Sequence, residues 1–572
     1  AGAFAFARFE RDQEIAMVGL QRAQFVEFCI DAGRNHAAVA QIHRWLGRDA
    51  REQRQRFGRR MAIGAQAGDQ SARRFIGQGG ERGQVGRLDE RVGRHLGEDT
   101  GDARAVRGEA DLPYDIEDAI AGMRVLDLST VLAIPYCGSL LTDLGAEVIK
   151  IEAPNRLDSQ RNNDWLSREL GQGPDPWNRA GAFQVINRGK RSLVLNLAQE
   201  RGREVFKKLV AVSDVVINNY TPRVLRGWGL GYEELIKIRP DLILLSNTGY
   251  GSTGPWSAFP VQGTVLENTM GFTAYTGYRG DKPWKAGASY PDFITCWTGL
   301  TALMAAVLHR KATGNGQAID MGMYQIGAVL IPEPILGLQT DGKNWERIGN
   351  EHRVHVPSNV YPAKGGDQWL ALSITDDGQW AAFASLIRKP ELAQDERYRH
   401  EAQRRVRRED IDTMVRAWAA TQDAWEATRR LQQAGIAAGP VLNNRDLLLD
   451  THLRHREFYE TVNHWRPMGG RPLIGRPYRF QNTPLRIQKP APRYGEDNRY
   501  VLRELLRLDD TEVTALYKEG ITADAPVSAA SVRQPDLAPG LRNGSIKEVD
   551  VDYRKKLGLG PVASARNDTV HS

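Results

Sequence analysis

Between residues 124 and 246 the sequence alternates short apolar runs with amphipathic stretches. Residues 124–128 and 147–151 are apolar runs typical of buried strands. Between them, residues 133–144 carry apolar side chains at helical spacing until Gly145 ends the pattern. A strand, a helix and a second strand within about 28 residues predict two parallel strands, because parallel strands need a long crossover. This rhythm limits the fold to an α/β sheet with helices on its faces.

The same rhythm continues along the chain. Further strands are predicted at 192–197, 214–217 and 242–246, with helices at 200–212 and 232–239 between them. We therefore predict that residues 115–335 form the first part of a large domain built on an open, Rossmann-like parallel sheet.

The pattern changes after residue 335. A strand at 369–373 and helices at 377–387 and 408–420 predict a smaller α/β domain over residues 348–433. Residues 435–522 are expected to return to the large domain. Residues 523–572 include Pro526, Pro535 and Pro539 among polar residues and are predicted to form a loose C-terminal tail.

Residues 1–112 differ in composition from the rest of the chain. They contain 19 arginines but no lysine, proline or tyrosine, and few large apolar residues. Such a segment buries too little apolar surface to offset the entropy of ordering its backbone. It fits a disordered extension, a poorly formed helical extension or translated sequence upstream of the true start, and we assign it no function.

Composition excludes several classes of protein. The three cysteines, Cys29, Cys137 and Cys296, have neither metal-ligand spacing nor an even count, so we expect no metal site, no disulfide framework and a reducing cytoplasm. The net charge of +7 is spread over 572 residues. This charge suits an anionic small ligand better than nucleic acid. No continuous apolar run predicts a membrane span, and the chain opens on no secretory signal.

Eight short strings resemble the family III CoA-transferases, which include formyl-CoA transferase and the carnitine CoA-transferases. The strings are Asp143-Leu-Gly-Ala-Glu-Val-Ile-Lys-Ile-Glu-Ala-Pro154, Asn187-Arg-Gly-Lys-Arg-Ser-Leu193, Val216-Ile-Asn-Asn-Tyr-Thr-Pro222, Asn247-Thr-Gly-Tyr-Gly251 with Gly254-Pro255, Ser289-Tyr-Pro-Asp-Phe293, Thr313-Gly-Asn-Gly-Gln-Ala-Ile-Asp320, Gly435-Ile-Ala-Ala-Gly-Pro-Val441 and Pro492-Arg-Tyr-Gly-Glu496. Their order and spacing extend the resemblance over residues 122–521.

The resemblance implies a fold, an activity and an assembly. The fold is the α/β fold of that family, in which two subunits interlock as a homodimer. The activity is transfer of CoA from an acyl-CoA thioester to a carboxylic acid, with coenzyme A as co-substrate and no permanently bound cofactor. Long connections at 330–350 and 434–450, with exposed apolar residues, are consistent with a partner subunit.

Asp292 is the predicted catalytic residue. Apolar residues recur at helical spacing over 293–311, so Asp292 is predicted at the N-cap of a helix, where an aspartate is also a common structural cap. The helix dipole would keep its carboxylate ionised. The resemblance places the family's nucleophile here, which attacks the thioester and passes through an aspartyl anhydride and an aspartyl-CoA thioester.

The resemblance also supplies the predicted CoA contacts. Leu195 would pack near the adenine, while Asn219, Tyr220 and Thr221 would line the nucleotide. The predicted phosphate ligands are Arg188, Lys190, Arg191 and Arg226, the last standing beside Gly227, where the family has arginine. On the residues alone, Leu195 also fits a core strand, Asn219 a turn, and the basic cluster a solvated loop.

The sequence departs from formyl-CoA transferase at several positions. Thr130 and Leu132 replace histidine and glutamine, Ala153 and Ala198 replace basic residues, and 348–353 replaces a run of glycines. The location of the oxyanion donors is therefore left open, and the substrate is expected to differ from formate or oxalate.

Two other functions are compatible with the resemblance. The α-methylacyl-CoA racemases share the fold but need an acid and a base on opposite faces of the α-carbon. Residues 262–268 lack the histidine that those enzymes use, and Glu267 is the only substitute there. A non-catalytic acyl-CoA-binding relative is the second alternative, although it would not require Asp292.

The atypical N-terminal composition leads to a prediction. A chain that begins at Leu112 should fold and match the specific activity of the full chain, because residues 1–112 are expected to contribute no packed core. Soluble yield and CoA-transfer rate of the two chains measure this. Loss of soluble protein on truncation would show that the segment is structural.

Overall fold

The computed structural model describes residues 120–559, except for 165, 167–168, 170–172, 288, 466–467, 484, 528–531 and 535. The predicted extension over 1–112 lies outside these residues.

A six-stranded parallel sheet forms the centre of the fold. Its strands are β1 (Arg124–Asp127), β2 (Glu147–Glu152), β3 (Arg191–Val194), β4 (Val215–Asn218), β5 (Ile243–Thr248) and β6 (Ala318–Gly322). They lie in the order β3-β2-β1-β4-β5-β6, with every pair parallel. This is the doubly wound order of Rossmann folds, so the predicted sheet type is confirmed.

Helices follow the strands as crossovers and cover both faces. In this part of the chain they are α1 (Ala133–Asp143), α2 (Gly181–Ile186), α3 (Glu200–Ala211), α4 (Pro222–Gly227), α5 (Tyr232–Leu235), α6 (Gly263–Thr269), α7 (Phe272–Tyr275), α8 (Tyr290–Thr313), α9 (Met323–Val329) and α10 (Pro332–Asp341). Short 3₁₀ turns occur at Ser159–Arg161 and Pro176–Asn178.

Strand β1 shows why both faces of the sheet are buried. Its side chains alternate direction, so Val125 joins one core with helices α1 and α8, whereas Leu126 joins a second core with α3. Both residues are fully buried. Strands covered on both sides read as continuous apolar runs, which is the pattern seen in the sequence.

Helix α8 is the longest helix of the described chain. By length and apolar composition it is the one described helix that could cross a membrane, but half of its apolar window is buried inside the protein. It packs against α1 and β5, with Leu300 and Leu303 in the core. We therefore interpret it as a core helix.

A smaller antiparallel sheet follows. It consists of β7 (Ser358–Pro362), β8 (Trp369–Ser373) and β9 (Ala437–Pro440), in that order. Four helices and a 3₁₀ turn accompany it, at α11 (Asp377–Leu386), Pro390–Ala393, α12 (Glu401–Val406), α13 (Arg408–Ala419) and α14 (Ala424–Gln433). Strand β9 lies beyond the predicted boundary at residue 433, which is therefore too early. Its Ala, Gly and Pro residues hide the strand pattern.

The remaining chain returns to the main sheet. Its elements are α15 (Asn444–Leu449), α16 (Thr451–His455), the hairpin of β10 (Tyr459–Asn463) and β11 (Gly470–Ile474), a π-helix at Tyr500–Leu505, α17 (Asp510–Lys518), α18 (Ala538–Asn543) and α19 (Tyr553–Lys556). Asp497 and Asn498 accept the backbone N–H groups of Ser192 and Val194, each at 2.8 Å. These contacts attach the segment to edge strand β3.

The described part of the predicted tail is not loose. The N–H of Val527 donates to the carbonyl of Pro154 at 2.9 Å, and that of Arg533 donates to Asn162 at 2.7 Å. The hydroxyl of Tyr553 bonds both Arg471 and Glu169, at 2.6 and 2.8 Å. Isolated hydrogen bonds of this kind leave no apolar period in the sequence, which is why the sequence did not predict them.

Candidate active site

The strand order creates a crevice at the carboxyl ends of β1 and β4. The chain leaves β1 toward β2 on one side, whereas β4 continues to β5 on the other. The loops that follow them, 128–132 and 219–221, therefore lead to opposite sides of this point in the sheet. In open α/β sheets, ligands bind at such a point.

Asp292 lies in the first turn of α8. The prediction that it is the N-cap is wrong by three residues: Ser289 occupies that position, with φ 66° and ψ 32°, and Pro291 precedes Asp292 within the helix. The helix starts earlier because proline is well suited to the first turn, where a missing N–H costs no helical bond. The N–H of Asp292 donates to the carbonyl of Ser289 at 3.1 Å.

The carboxylate of Asp292 is enclosed between three helix starts, and the residue is only 8% exposed. The N–H groups of Asp292 itself and of Ala133, the first residue of α1, face the carboxylate and favour its ionised form. Gly263, the first residue of α6, lies directly against it. A Cβ at position 263 would be 2.1 Å from Oδ2 of Asp292, so only glycine leaves room for the carboxylate.

Burial changes the protonation of this carboxylate. Loss of hydration raises the pKa of Asp292 to about 6, although the two backbone N–H groups lower it. The expectation that the helix end simply keeps the group ionised is therefore too simple, because burial outweighs those N–H groups. Near neutral pH most molecules still carry the ionised, nucleophilic form, and a weakly solvated carboxylate is a better nucleophile than a hydrated one.

The loop between β1 and α1 is fixed by neighbouring side chains. Asn219 bonds Thr130 twice, accepting its N–H at 2.9 Å and donating to its carbonyl at 2.6 Å. Asp127 accepts the N–H of Ser129 at 2.9 Å, and Lys150 donates to the Ser129 carbonyl. The loop that leads to Ala133 thus has little freedom.

Three of the predicted nucleotide contacts line one cavity. Tyr220, Thr221 and Arg226 surround a space of about 200 Å³ at the carboxyl ends of β4 and β5. Tyr220 also packs edge to face against Trp228, with 5.8 Å between ring centroids. Asn219 precedes these residues, but its side chain amide is engaged with Thr130.

Leu195 and the basic cluster lie elsewhere. Leu195 is buried in the core beside β3. Arg188 is enclosed and pairs with Asp143 at 2.8 Å, and Lys190 is enclosed and pairs with Asp127 at 2.7 Å. Burial lowers the pKa of Lys190 to about 8, although Asp127 raises it. This placement argues against the prediction that these two side chains bind phosphate, and we assign them a structural role.

Arg191 is the third member of the basic cluster. It is partly exposed, pairs with Glu147 at 2.8 Å and Asp497 at 2.9 Å, and stacks over Tyr500. Its charge is balanced by these two carboxylates, so its contacts also fit a structural role at the edge of the sheet. The sequence shows a dense run of positive charge but not the distant acids that neutralise it.

The segment that replaces the glycine run lies against the loop that precedes α8. The N–H of Gly349 donates to the carbonyl of Gly277 at 2.8 Å, and Glu351 pairs with Arg279 at 2.8 Å. Residues 348–353 are therefore connected, through that loop, to the chain that leads into Asp292.

Glu267, the only acid weighed as a racemase base, is fully buried one helical turn after Gly263. Its Oε1 accepts the N–H of Ala286 at 2.6 Å, whereas Oε2 has no hydrogen-bond partner among the described residues. One oxygen thus holds the loop before α8.

Sequence reasoning missed the residues that shape this site. Gly263 and Ala133 act through a missing side chain and a backbone N–H, and neither leaves a motif. Asp127, Lys150 and Asp158 form a buried chain of charges beneath the loop. The sequence does carry a signal for Asp127 and Lys150, because each is a charged residue inside a predicted buried strand. Unpaired charge is costly in a core, so each must have a partner.

Comparison with known proteins identifies the family of this chain. Residues 120–498 match the family model of CoA-transferase family III. The chain belongs to CoA-transferase family III. The predictions of family, fold class and activity are thereby confirmed, and this family III enzyme moves CoA between an acyl-CoA thioester and a carboxylate.

Individual relatives of this family III enzyme cover most of its described residues. Succinyl-CoA–D-citramalate CoA-transferase of Chloroflexus aurantiacus is 31% identical over 394 residues, 69% of this chain and 96% of the relative. Succinyl-CoA:glutarate CoA-transferase of Mus musculus is 30% identical over 72% of this chain and 92% of its own. The crystal structure of a CaiB/BaiF family protein from Brucella suis superposes with a TM-score of 0.60 at 29% identity, covering 68% of this chain and 98% of that one.

The raised pKa of Asp292 leads to a stability prediction for the family III enzyme. At pH 7 the folded state holds a buried charge that the unfolded state solvates freely, so Asp292→Asn should raise the free energy of unfolding by about 3 kcal/mol. Because the folded pKa exceeds the unfolded one, this penalty is complete above pH 6. It should vanish as pH falls through 6 toward 4, where both states bind the proton.

Denaturant unfolding of the two proteins between pH 4 and 8 measures this difference. Asp410→Asn is the control, since Asp410 is an exposed carboxylate whose ion pair with Arg407 is long, at 3.7 Å. Equal stabilities of the wild type and Asp292→Asn across this range would show that burial does not raise the pKa.

Proposed function

We propose that this enzyme transfers CoA through covalent intermediates on Asp292. The observation that carries the proposal is the enclosed carboxylate of Asp292, which lies against Gly263 and faces two backbone N–H groups. A carboxylate so placed has few water contacts and can attack a thioester carbonyl.

The exchange then proceeds in four steps. An oxygen of Asp292 attacks the acyl-CoA carbonyl carbon, the C–S bond breaks, and CoA leaves as a thiolate from a mixed anhydride. The thiolate attacks the carbonyl carbon of Asp292, the anhydride C–O bond breaks, and the first acid leaves as a carboxylate. The acceptor carboxylate repeats the first step on the aspartyl-CoA thioester. The thiolate then attacks the acyl carbon of the new anhydride, which regenerates Asp292 without net proton transfer.

Ala133 has a specific part in this sequence. Its N–H faces the carboxylate of Asp292 in the resting enzyme. When thiolate attacks the aspartyl carbonyl carbon, negative charge develops on an oxygen of the same group. A donor that already faces that oxygen needs no reorganisation, which is how preorganised N–H groups stabilise tetrahedral states.

The cavity beside β4 and β5 supports a site for the nucleotide part of CoA. Tyr220 and Thr221 supply an aromatic face and a hydroxyl, and Arg226 supplies a positive charge for phosphate. We include these three residues in the proposed CoA site. The contact proposed for Leu195 would have to come from the edge of the core, because its side chain is buried.

We further propose a short dicarboxylate as the substrate class. The two relatives described above are named for succinyl-CoA as donor and for citramalate or glutarate as acceptor. Both acceptors are five-carbon dicarboxylates. Succinyl-CoA and five-carbon diacids are therefore the first pair to test.

Exposed apolar side chains support a homodimer. Helix α10 occupies the connection predicted at 330–350, and Ile335, Leu336 and Leu338 on it are 40%, 56% and 52% exposed. Val329, at the end of α9, is 75% exposed. Four such residues within ten positions form a patch that a subunit interface would cover.

The covalent route predicts how the reaction responds to loss of the nucleophile. Asp292→Asn should fold and bind acyl-CoA, yet exchange of labelled succinate into succinyl-CoA should fall by roughly 1,000-fold or more. Asp410→Asn, at the exposed control carboxylate, should exchange at the wild-type rate. Near-normal exchange in Asp292→Asn would eliminate Asp292 as the nucleophile.

The interlocked dimer predicts unusual resistance to dilution. Sedimentation at falling protein concentration should show a dimer down to the detection limit, because interlocked chains separate only by unfolding. The double variant Leu336→Glu and Leu338→Glu should lower the yield of dimer, whereas Val406→Glu, on an exposed residue of α12, should not. A wild-type monomer at native pH would contradict the proposal.

A further inference from the structure

We propose that Asn219 is a positioning residue for the nucleophile, acting through the loop between β1 and α1 rather than through CoA. The inference rests on the proposed role of Asp292 and adds a residue that serves it across the β1–β4 crevice. Its basis is a continuous set of contacts from Asn219 to the N–H group that faces the reacting carboxylate.

The first contact is a two-bond clamp. Oδ1 of Asn219 accepts the N–H of Thr130 at 2.9 Å, and Nδ2 donates to the Thr130 carbonyl at 2.6 Å. Asn219 directly follows β4, and Thr130 lies in the loop after β1. The clamp therefore joins two strand ends at the point where their loops diverge. A pair of bonds to one residue fixes its orientation as well as its distance.

The clamp holds the next residue, Val131, in a strained backbone conformation. Val131 has φ 73°, in the left-handed region, which β-branched residues seldom occupy. Such a conformation is strained and persists only when the surroundings impose it. Its N–H lies 3.4 Å from Oδ1 of Asp158, a long contact, and its side chain is 44% exposed. The backbone of Val131 is therefore held mainly by its link to Thr130, the residue that Asn219 clamps.

The chain reaches the nucleophile two residues later. Leu132 is the N-cap residue of α1, and Ala133 opens the helix with the N–H that faces the carboxylate of Asp292. From Thr130 to Ala133 there are only three peptide links, so a shift of Thr130 is passed on with little attenuation. If the clamp is lost, Val131 can relax and the N–H of Ala133 loses its alignment with the carboxylate.

A nucleotide contact by Asn219 is the competing interpretation, since Tyr220 and Thr221 line the neighbouring cavity. The two interpretations differ in their kinetics. A residue that binds CoA in both ground and transition states changes KM, whereas a residue that aligns the reacting group changes kcat.

The test compares Asn219→Ala and Asn219→Asp with Thr221→Val in the full-length enzyme, using succinyl-CoA and labelled succinate. Both Asn219 variants should lower kcat roughly 10- to 100-fold, because misplacement by about 1 Å costs that much, with KM for succinyl-CoA within about twofold. Asn219→Asp keeps the acceptor but directs an oxygen at the Thr130 carbonyl, so it should not rescue. Thr221→Val should instead raise KM with little change in kcat.

A second measurement separates alignment from general damage. When the Ala133 N–H no longer faces the carboxylate of Asp292, that carboxylate is harder to ionise, so the acid limb of the kcat profile should move to higher pH in both Asn219 variants. Thermal unfolding of each variant establishes that it is folded at the assay temperature. If Asn219→Ala does not fold, Asn219→Asp, which is nearly isosteric, carries the test.

The proposal is overturned if kcat stays within about twofold of wild type, if KM alone rises, or if the acid limb does not move. Failure of the underlying mechanism would look different. In that case the wild-type enzyme itself would exchange label without any covalent species on Asp292, whatever the Asn219 variants do.

Discussion

The enclosure of one carboxylate is the constraint on which the rest of the site depends. Asp292 lies where α8, α1 and α6 begin, and two N–H groups and a bare glycine surround it. Helix starts supply N–H groups that have no partner within their own helix, so they can hold an anion without a positive side chain. The doubly wound sheet makes this arrangement possible, because helices that follow parallel strands begin at the same edge.

Holding this charge lowers stability, and the surrounding core compensates for it. The pKa of about 6 means that the folded protein gives up hydration energy at neutral pH to keep Asp292 reactive. Beneath the loop, the buried ions Asp127, Lys150, Asp158 and Lys190 add little net stability, since desolvation offsets their attraction. Their value is orientation: they hold Ser129 and the start of α1 in a single arrangement.

The sequence predicted what depends on local apolar pattern. Strands β1 to β5 and helices α1, α3 and α8 were located to within a few residues, because burial on one or both faces leaves a period in the sequence. The site was predicted less completely. Asp292 was identified through family resemblance and is enclosed as a nucleophile should be. Arg188 and Lys190 read as phosphate ligands because their partners, Asp143 and Asp127, lie more than 40 residues away.

Direct detection of the aspartyl-CoA thioester tests the account most directly. The enzyme would be mixed with succinyl-CoA, quenched in acid during turnover and digested, and the peptide that carries Asp292 would be weighed by mass spectrometry. The account predicts a mass increase equal to CoA less water on that residue, absent in Asp292→Asn and discharged by added succinate. An unmodified Asp292 peptide from an enzyme that is turning over, or a CoA adduct on a different residue, would contradict it.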